Sequence, residues 1–321
     1  MKNILKILAM VSITAVIMTT GCRNAVEYYV DAVKYDKLEQ PEEAVESLDR
    51  AIDRDPEFFP AYTLKGDIYQ KQGSFLESSQ AYEKALEYNP FSFKNFYNLG
   101  KVNYAMERYE YAVNAFVKAL ELHPEDYSAN FYTAKSFYKL EDYNKALTYA
   151  TEARLIEPDK SELEILFGDI YTATSNYETA IIEYRRALER DGNQPEIMIP
   201  LGLAYIRSQS FDVAVELLEE TAKIAPDDYR VYQYLGFLSL RAKKYDVSIE
   251  NYKMSASLKP GDLTTLKGMG VAYILQALRN EDGQLLETGL NQWRTALRIQ
   301  PNQPGLRKLL KKYSDIKVTT K

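Results

Sequence analysis

Apolar side chains recur along this chain at i, i+3, i+4 and i+7, the spacing of one helical face, in short stretches broken at a fixed interval. Pro56, Pro90, Pro124 and Pro158 stand 34 residues apart, as do Pro226 and Pro260, and Gly192 marks the midpoint of the double gap between 158 and 226. The residue before a proline is pushed out of the α region, so each of these points ends a helix. Residues 25–303 therefore read as eight helix pairs: 25–58, 59–92, 93–126, 127–160, 161–194, 195–228, 229–262 and 263–303, the last with seven extra residues. No strand pattern is present, and the expected fold class is all-α.

Positions 8, 20 and 27 of each pair are small. Twenty-three of these 24 residues are Gly, Ala or Ser, from Ala32, Ala44 and Ala51 to Gly270, Gly289 and Ala296, and the exception is Thr221. Small side chains let two antiparallel helices approach to about 8–10 Å, so position 8 is expected to meet positions 20 and 27. Larger residues flank them, among them Tyr28, Tyr62, Tyr82, Phe116, Phe167, Tyr184, Tyr252 and Trp293. In period and small-residue positions the chain resembles the tetratricopeptide repeat family, whose unit is a helix–turn–helix. The resemblance covers residues 25–303 and implies a right-handed α-solenoid of about eight repeats. Its concave groove would be lined by first-helix positions 2, 5, 6, 9, 12 and 13. Leu306, Leu309, Leu310 and Tyr313 share one face of a final helix over 304–315, which resembles the cap on the last open face of a solenoid. Residues 316–321 are left as a tail.

Local departures carry their own expectations. Pro200 falls inside a first helix, which must start late or bend there. Gly192-Asn193 takes the place of the usual proline and supplies a left-handed helix stop. The seven extra residues of the last pair are expected to lengthen its internal turn, Arg279 to Gly283, as a solvated loop.

Ahead of the repeats, Lys2 and Lys6 precede Ile7–Met18, twelve residues without a charge. A membrane span needs about 20 apolar residues, whereas a secretory signal has an apolar core of about 7–15. Thr19-Thr20-Gly21-Cys22 follows. Thr20, Gly21 and Cys22 resemble the lipobox of bacterial lipoproteins, and Thr19 departs from it, since Leu is usual there. The resemblance implies a signal peptide over 1–21, a lipid (palmitate) on Cys22, and a short linker over 22–24. With Arg rather than Asp at residue 23, it implies anchoring in the outer membrane of a bacterial envelope, facing the periplasm.

Charge and composition narrow the function. The net charge of −6 becomes −8 without residues 1–21, which hold two lysines and no acid. That argues against nucleic acid, whose binding rests on phosphate neutralisation. One Cys and one His exclude Cys-rich and multi-His metal sites. His123, beside Pro124, reads as a solvated side chain, and Gly268-Met269-Gly270 as helix packing. No enzyme, metal or cofactor is expected.

Mapped onto the groove positions, the third and fourth repeats supply Lys94, Tyr97, Asn98, Lys101, Tyr104, Phe131, Tyr132, Lys135, Tyr138 and Lys139, an aromatic and basic stretch in an acidic chain. The later repeats supply the mostly apolar Leu203, Ile206, Tyr234, Phe237 and Arg241. Aromatic and Arg side chains are the usual anchors of interfaces. The expected function is a lipid-anchored scaffold holding another envelope protein by a segment in its groove. An acidic segment with apolar anchors suits the first stretch. The other reading is a periplasmic binder of a glycan, wall fragment or hydrophobic small ligand. The carboxylate clamp of chaperone-binding members of the family is absent: Asn98 fits one position, but Thr63, Asp67, Ser128 and Tyr132 do not fit the rest.

Overall fold

The computed structural model describes residues 23–316, which form helices and no strand. The expected signal segment with Cys22, and residues 317–321, lie outside the described residues. The chain divides into two compact units, one ending at Pro158 and one beginning at Asp159.

The first unit holds α1 (Ala25–Lys37), α2 (Pro41–Arg54), α3 (Phe59–Lys71), α4 (Phe75–Tyr88), α5 (Phe93–Ala105), α6 (Tyr109–Leu122), α7 (Tyr127–Lys139) and α8 (Tyr143–Ile156). The second holds α9 (Ser161–Ala173), α10 (Tyr177–Asp191), α11 (Pro195–Arg207), α12 (Phe211–Ile224), α13 (Tyr229–Arg241), α14 (Tyr245–Leu258), α15 (Leu263–Asn280), α16 (Gly283–Ile299) and α17 (Pro304–Ser314). Every first helix begins on the first residue of its expected pair. In each unit the pairs pack side by side as a helical repeat array.

The small positions work as expected in part. Ser78 and Ser248, at position 20, each donate to the carbonyl of the position-8 glycine, Gly66 or Gly236, at 2.8 Å. At position 27 of the seventh pair, the Ser255 hydroxyl meets that of Thr265 in the next pair at 2.9 Å. The space left by glycine at position 8 is filled from position 24. A Cβ on Gly66, Gly100, Gly168 or Gly236 would stand 2.5 to 2.9 Å from the ring of Tyr82, Phe116, Tyr184 or Tyr252. Where position 8 is alanine, at Ala32 and Ala134, position 24 is the smaller Leu48 or Ala150.

The turn inside each pair is the same. Seven pairs place one residue at positive φ two residues past the first helix, at Glu39, Gly73, Glu107, Glu141, Ser175, Gln209 and Lys243. The following N–H reaches back five residues, as from Gln40 to the Tyr35 carbonyl and from Asp142 to the Phe137 carbonyl, both at 3.0 Å. This is the Schellman closure, which satisfies carbonyls that the helix end leaves open. Only one of the seven positions is glycine, although a left-handed conformation costs other residues about 1–2 kcal/mol. Glycine in turn loses about 0.5–1 kcal/mol more on folding. Replacing Glu107, Glu141 and Gln209 together by glycine is expected to raise the melting temperature, since distant sites add. A fall would mean that these side chains hold the turns.

The eighth pair corrects the sequence reading. Its seven extra residues do not form a loop: Arg279 and Asn280 are helical, and the positive-φ residue is Glu281, four residues later than the period predicts. The second helix then runs to Ile299, seven residues later than its counterparts. One turn has been added to each helix, and the same closure follows, from Asp282 N–H to the Ala277 carbonyl at 2.9 Å. Seven residues are close to two turns of 3.6, so the apolar faces stay aligned.

Pro200 brings a second correction. There is no late start: α11 begins at Pro195, in register with its counterparts, and continues through Pro200. The N–H that Pro200 lacks would have bonded the carbonyl of Glu196, an exposed residue whose carbonyl water can serve. Gly192 does close α10 at positive φ.

The ends differ from the middle. Positions 3 and 10 of the first helices are buried in later repeats, as at Ala61 and Ile68 or Leu163 and Ile170, but in α1 they are the exposed Glu27 and Lys34. Arg23 pairs there with Glu27, at 3.7 Å, and with Asp31. At the other end α17 buries Leu306 and rests Leu310 and Tyr313 on the core of the last pair. Leu309, expected on that face, is 42% exposed.

Candidate functional site

In the first unit, α5 and α7 present the candidate groove residues side by side. Their starts are fixed by Ser92, which accepts from Asn95 N–H at 3.3 Å, and by Asp126, which accepts from Ala129 N–H at 2.7 Å. Tyr132 is the centre of the lining. Its ring stacks on Phe116 at 5.7 Å and meets Tyr97, Tyr104 and Phe131 edge-on at 6.3, 6.0 and 5.5 Å. Burial raises the Tyr97 phenol and holds that of Tyr104 up at about 12, so both remain hydrogen-bond donors near neutral pH.

The cations of this stretch divide into two sets. Lys94 is neutralised: its ammonium lies 2.6 Å from Asp67 Oδ2, while Asp67 Oδ1 accepts from Tyr82 at 2.7 Å and from Asn98 at 3.2 Å. Lys94 and Asn98, which the sequence placed on a binding surface, are thus also bonded within the fold, and the Lys94 side chain stays 60% exposed. Burial is the largest cause of the raised Tyr82 pKa, followed by its hydrogen bond to the Asp67 carboxylate. Lys101 and Lys135 have no carboxylate partner among the described residues and lie over rings instead. Lys101 stands 5.7 Å from the Tyr97 centroid, and Lys135 stands 5.7 Å from those of Tyr104 and Phe131. The two lysines occupy position 9 of successive repeats, with Tyr97 and Phe131 one turn before and Tyr104 and Tyr138 about one turn after. Lys139 is exposed beyond them.

Phe131 differs from the expected anchor. It is 8% exposed, stacked on Tyr127 at 5.9 Å, and belongs to the wall. His123 stands edge-on to Phe93 at 4.9 Å. Among the described residues no group of three or more His, Cys, Asp or Glu side chains is placed to hold a metal ion. No described helix is long and apolar enough to cross a membrane.

In the second unit, Leu203, Ile206, Tyr234 and Phe237 do come together, around one cavity of about 200 Å³. Arg207, Gln233, Tyr252 and Thr264 complete its lining. Gln233 and Thr264 stand at groove positions 5 and 2 of their pairs, although the sequence reading did not single them out, and Tyr252, on a second helix, lies outside the groove pattern. The groove positions already carried the signal for Gln233 and Thr264, whereas Tyr252 reaches the cavity from the second helix of its pair. Ile206 is 9% exposed and forms part of the wall. Arg241 is not part of this lining: its guanidinium lies over the Phe211 ring, 4.3 Å from the centroid.

Comparisons with known proteins agree on the repeat. A tetratricopeptide-repeat profile matches residues 97–160 and 133–195, and further profiles of the same repeat match 66–107 and 35–58. No curated protein sequence matches the chain. A tetratricopeptide repeat protein from Parabacteroides merdae has a TM-score of 0.60 at 15% identity, over 77% of this chain and 98% of that one. The APC/C hetero-tetramer Cut9–Hcn1 gives 0.61 at 15% identity, over 85% of this chain and 52% of that one. PilW, a type IV pilus biogenesis factor, gives 0.54 at 17% identity, over 64% and 96%.

Proposed function

Because the chain carries tetratricopeptide repeats, we propose that it is a non-catalytic scaffold that binds a segment of another envelope protein against α5 and α7. The observation that carries this reading is the doubled face Tyr97-Lys101-Tyr104 and Phe131-Lys135-Tyr138, with two ammoniums that no acid among the described residues neutralises. An acidic segment with apolar residues meets both demands. The lysines steer its approach, and the rings set how long it stays. The lipobox-like Thr20-Gly21-Cys22 supports a lipid anchor at Cys22, with the repeats on the periplasmic side of the outer membrane. Two acyl chains hold a protein to a bilayer stably, and tethering raises the effective concentration of a partner there. A pilus biogenesis factor shares the fold, which favours assembly of an envelope complex as the process served.

The test is photo-crosslinking in cells. A crosslinking side chain at Lys139 is expected to capture one discrete partner, and one at Tyr111, 65% exposed on α6, to capture none. Charge reversal of Lys101 and Lys135 to Glu should slow association with that partner several-fold and leave the melting temperature unchanged. Equal capture at Lys139 and Tyr111, or reversal without effect, would remove the site. In the same strains Cys22→Ser should move the protein from the membrane to the soluble fraction, and fatty-acid labelling of that variant would refute the anchor.

A further inference from the structure

The second unit holds a cavity of about 200 Å³ between α11, α13, α14 and α15. An engineered cavity of about 150 Å³ lined by Leu, Ile and Phe is known to take benzene, so this one has room for one ring or branched aliphatic side chain. Two of its walls, Tyr252 and Ile206, cannot collapse into it. Tyr252 is 3% exposed, and its ring is wedged between Gly236 and Gly268, where an added Cβ would stand 2.9 and 2.4 Å away. Ile206 is fixed in the core, while Phe237, 37% exposed, forms the mouth.

Two polar groups at the cavity are left with unused capacity. Gln233 Nε2 donates to Asp262 Oδ1 at 2.6 Å and to Thr265 Oγ1 at 2.9 Å. The carboxylate only accepts, so the amide nitrogen must face it, and both amide hydrogens are used. Asp262 is itself held by Thr265 N–H at 2.8 Å. The Gln233 carbonyl oxygen is thereby fixed in place and takes no hydrogen bond among the described residues. Arg207, exposed beside it, is in no ion pair among the described residues.

We propose that this cavity is a second binding site, separate from the lysine–tyrosine face, and that it takes one aromatic or branched apolar side chain of an extended polypeptide segment followed by an acidic residue. The side chain fills the hollow, its own backbone N–H donates to Gln233 Oε1, and the acid pairs with Arg207. An uncharged apolar ligand such as a sterol or hydrocarbon would use the hollow alone and would leave the fixed acceptor and the cation idle.

The probe is the blocked dipeptide acetyl-para-fluorophenylalanyl-glutamate amide, titrated into the protein without residues 1–22 and read by fluorine NMR. Its glutamine counterpart should bind about threefold more weakly, the worth of one exposed ion pair, and Arg207→Gln should erase that difference. Thr264→Trp, an exposed change at the mouth, and Leu203→Phe, which fills the hollow, should abolish binding of both peptides. Circular dichroism checks each fold, and Thr264→Trp alone suffices if Leu203→Phe misfolds. Charge reversal at Lys101 and Lys135 should leave this titration unchanged, so failure of either site is read separately. No binding to the wild-type protein, binding that survives Thr264→Trp, or equal affinity for the two peptides overturns the proposal. So does toluene binding as well as the glutamate peptide, which would mark a cavity for apolar small molecules.

Discussion

Gly168→Leu is expected to destabilise the second unit by about 3 kcal/mol, the upper end for overpacking. A Cβ at residue 168 would stand 2.5 Å from the Tyr184 ring. That ring has nowhere to go: it is 1% exposed, and its hydroxyl donates to Asp169 Oδ1 at 2.6 Å. Repeats of this kind contact only their neighbours, so the damage should be local. Hydrogen exchange should rise in α9, α10 and α11 and fall off along the chain on either side. The chain itself supplies the rescue, because its first repeat pairs Ala32 with Leu48. Gly168→Ala combined with Tyr184→Leu should cost clearly less than the sum of the two single changes. Additive costs would mean that positions 8 and 24 are not in contact.

Trp293→Ala is expected to cost about 3–5 kcal/mol. Trp293 is 2% exposed, and its indole stands where a side chain on Gly270 would be, with only 2.4 Å between an added Cβ and the indole nitrogen. Nε1 donates to the Lys267 carbonyl at 3.0 Å, and the ring meets Tyr313 of the cap edge-on at 5.9 Å. One side chain thus joins α15, α16 and α17. Its loss should free the cap before it frees the rest of the unit. Limited trypsin digestion should then cut first after Arg307, Lys308, Lys311 or Lys312, several-fold faster than in the wild-type protein. Unchanged cleavage there would show that α17 is held by Leu306 and Leu310 without the indole.

The boundaries of all eight pairs were legible because proline and small residues act locally, through backbone sterics and close helix approach. The partner of position 8 was not. Gly66, Gly100 and Gly168 announce a close approach, but whether position 24 or 27 fills the gap depends on how far a ring reaches across the pair. The site was legible as a set of residues and not as a set of bonds. Lys94 and Lys101 look alike in sequence. One finds Asp67 from the preceding repeat and the other, among the described residues, lies over the ring of Tyr97 with no carboxylate partner. The contacts of Phe131 and Arg241 were hidden in the same way, since each also meets a ring outside the groove pattern, Tyr127 or Phe211. The late start expected at Pro200 was wrong because the bond that proline removes falls on a single exposed carbonyl, that of Glu196.

The lengthened eighth pair bears on how such a chain can change by descent. Each added residue rotates a helical face by about 100°. Gain or loss of one or two residues in a helix would therefore turn its apolar stripe away from the partner helix. Growth of one helix by a turn leaves that turn unmatched across the hairpin. Seven residues, divided as four and three about the Schellman turn, avoid both penalties. Heritable length variation within a pair should accordingly appear in steps of seven, whereas the short connections between pairs, which carry no stripe, are free to vary one residue at a time.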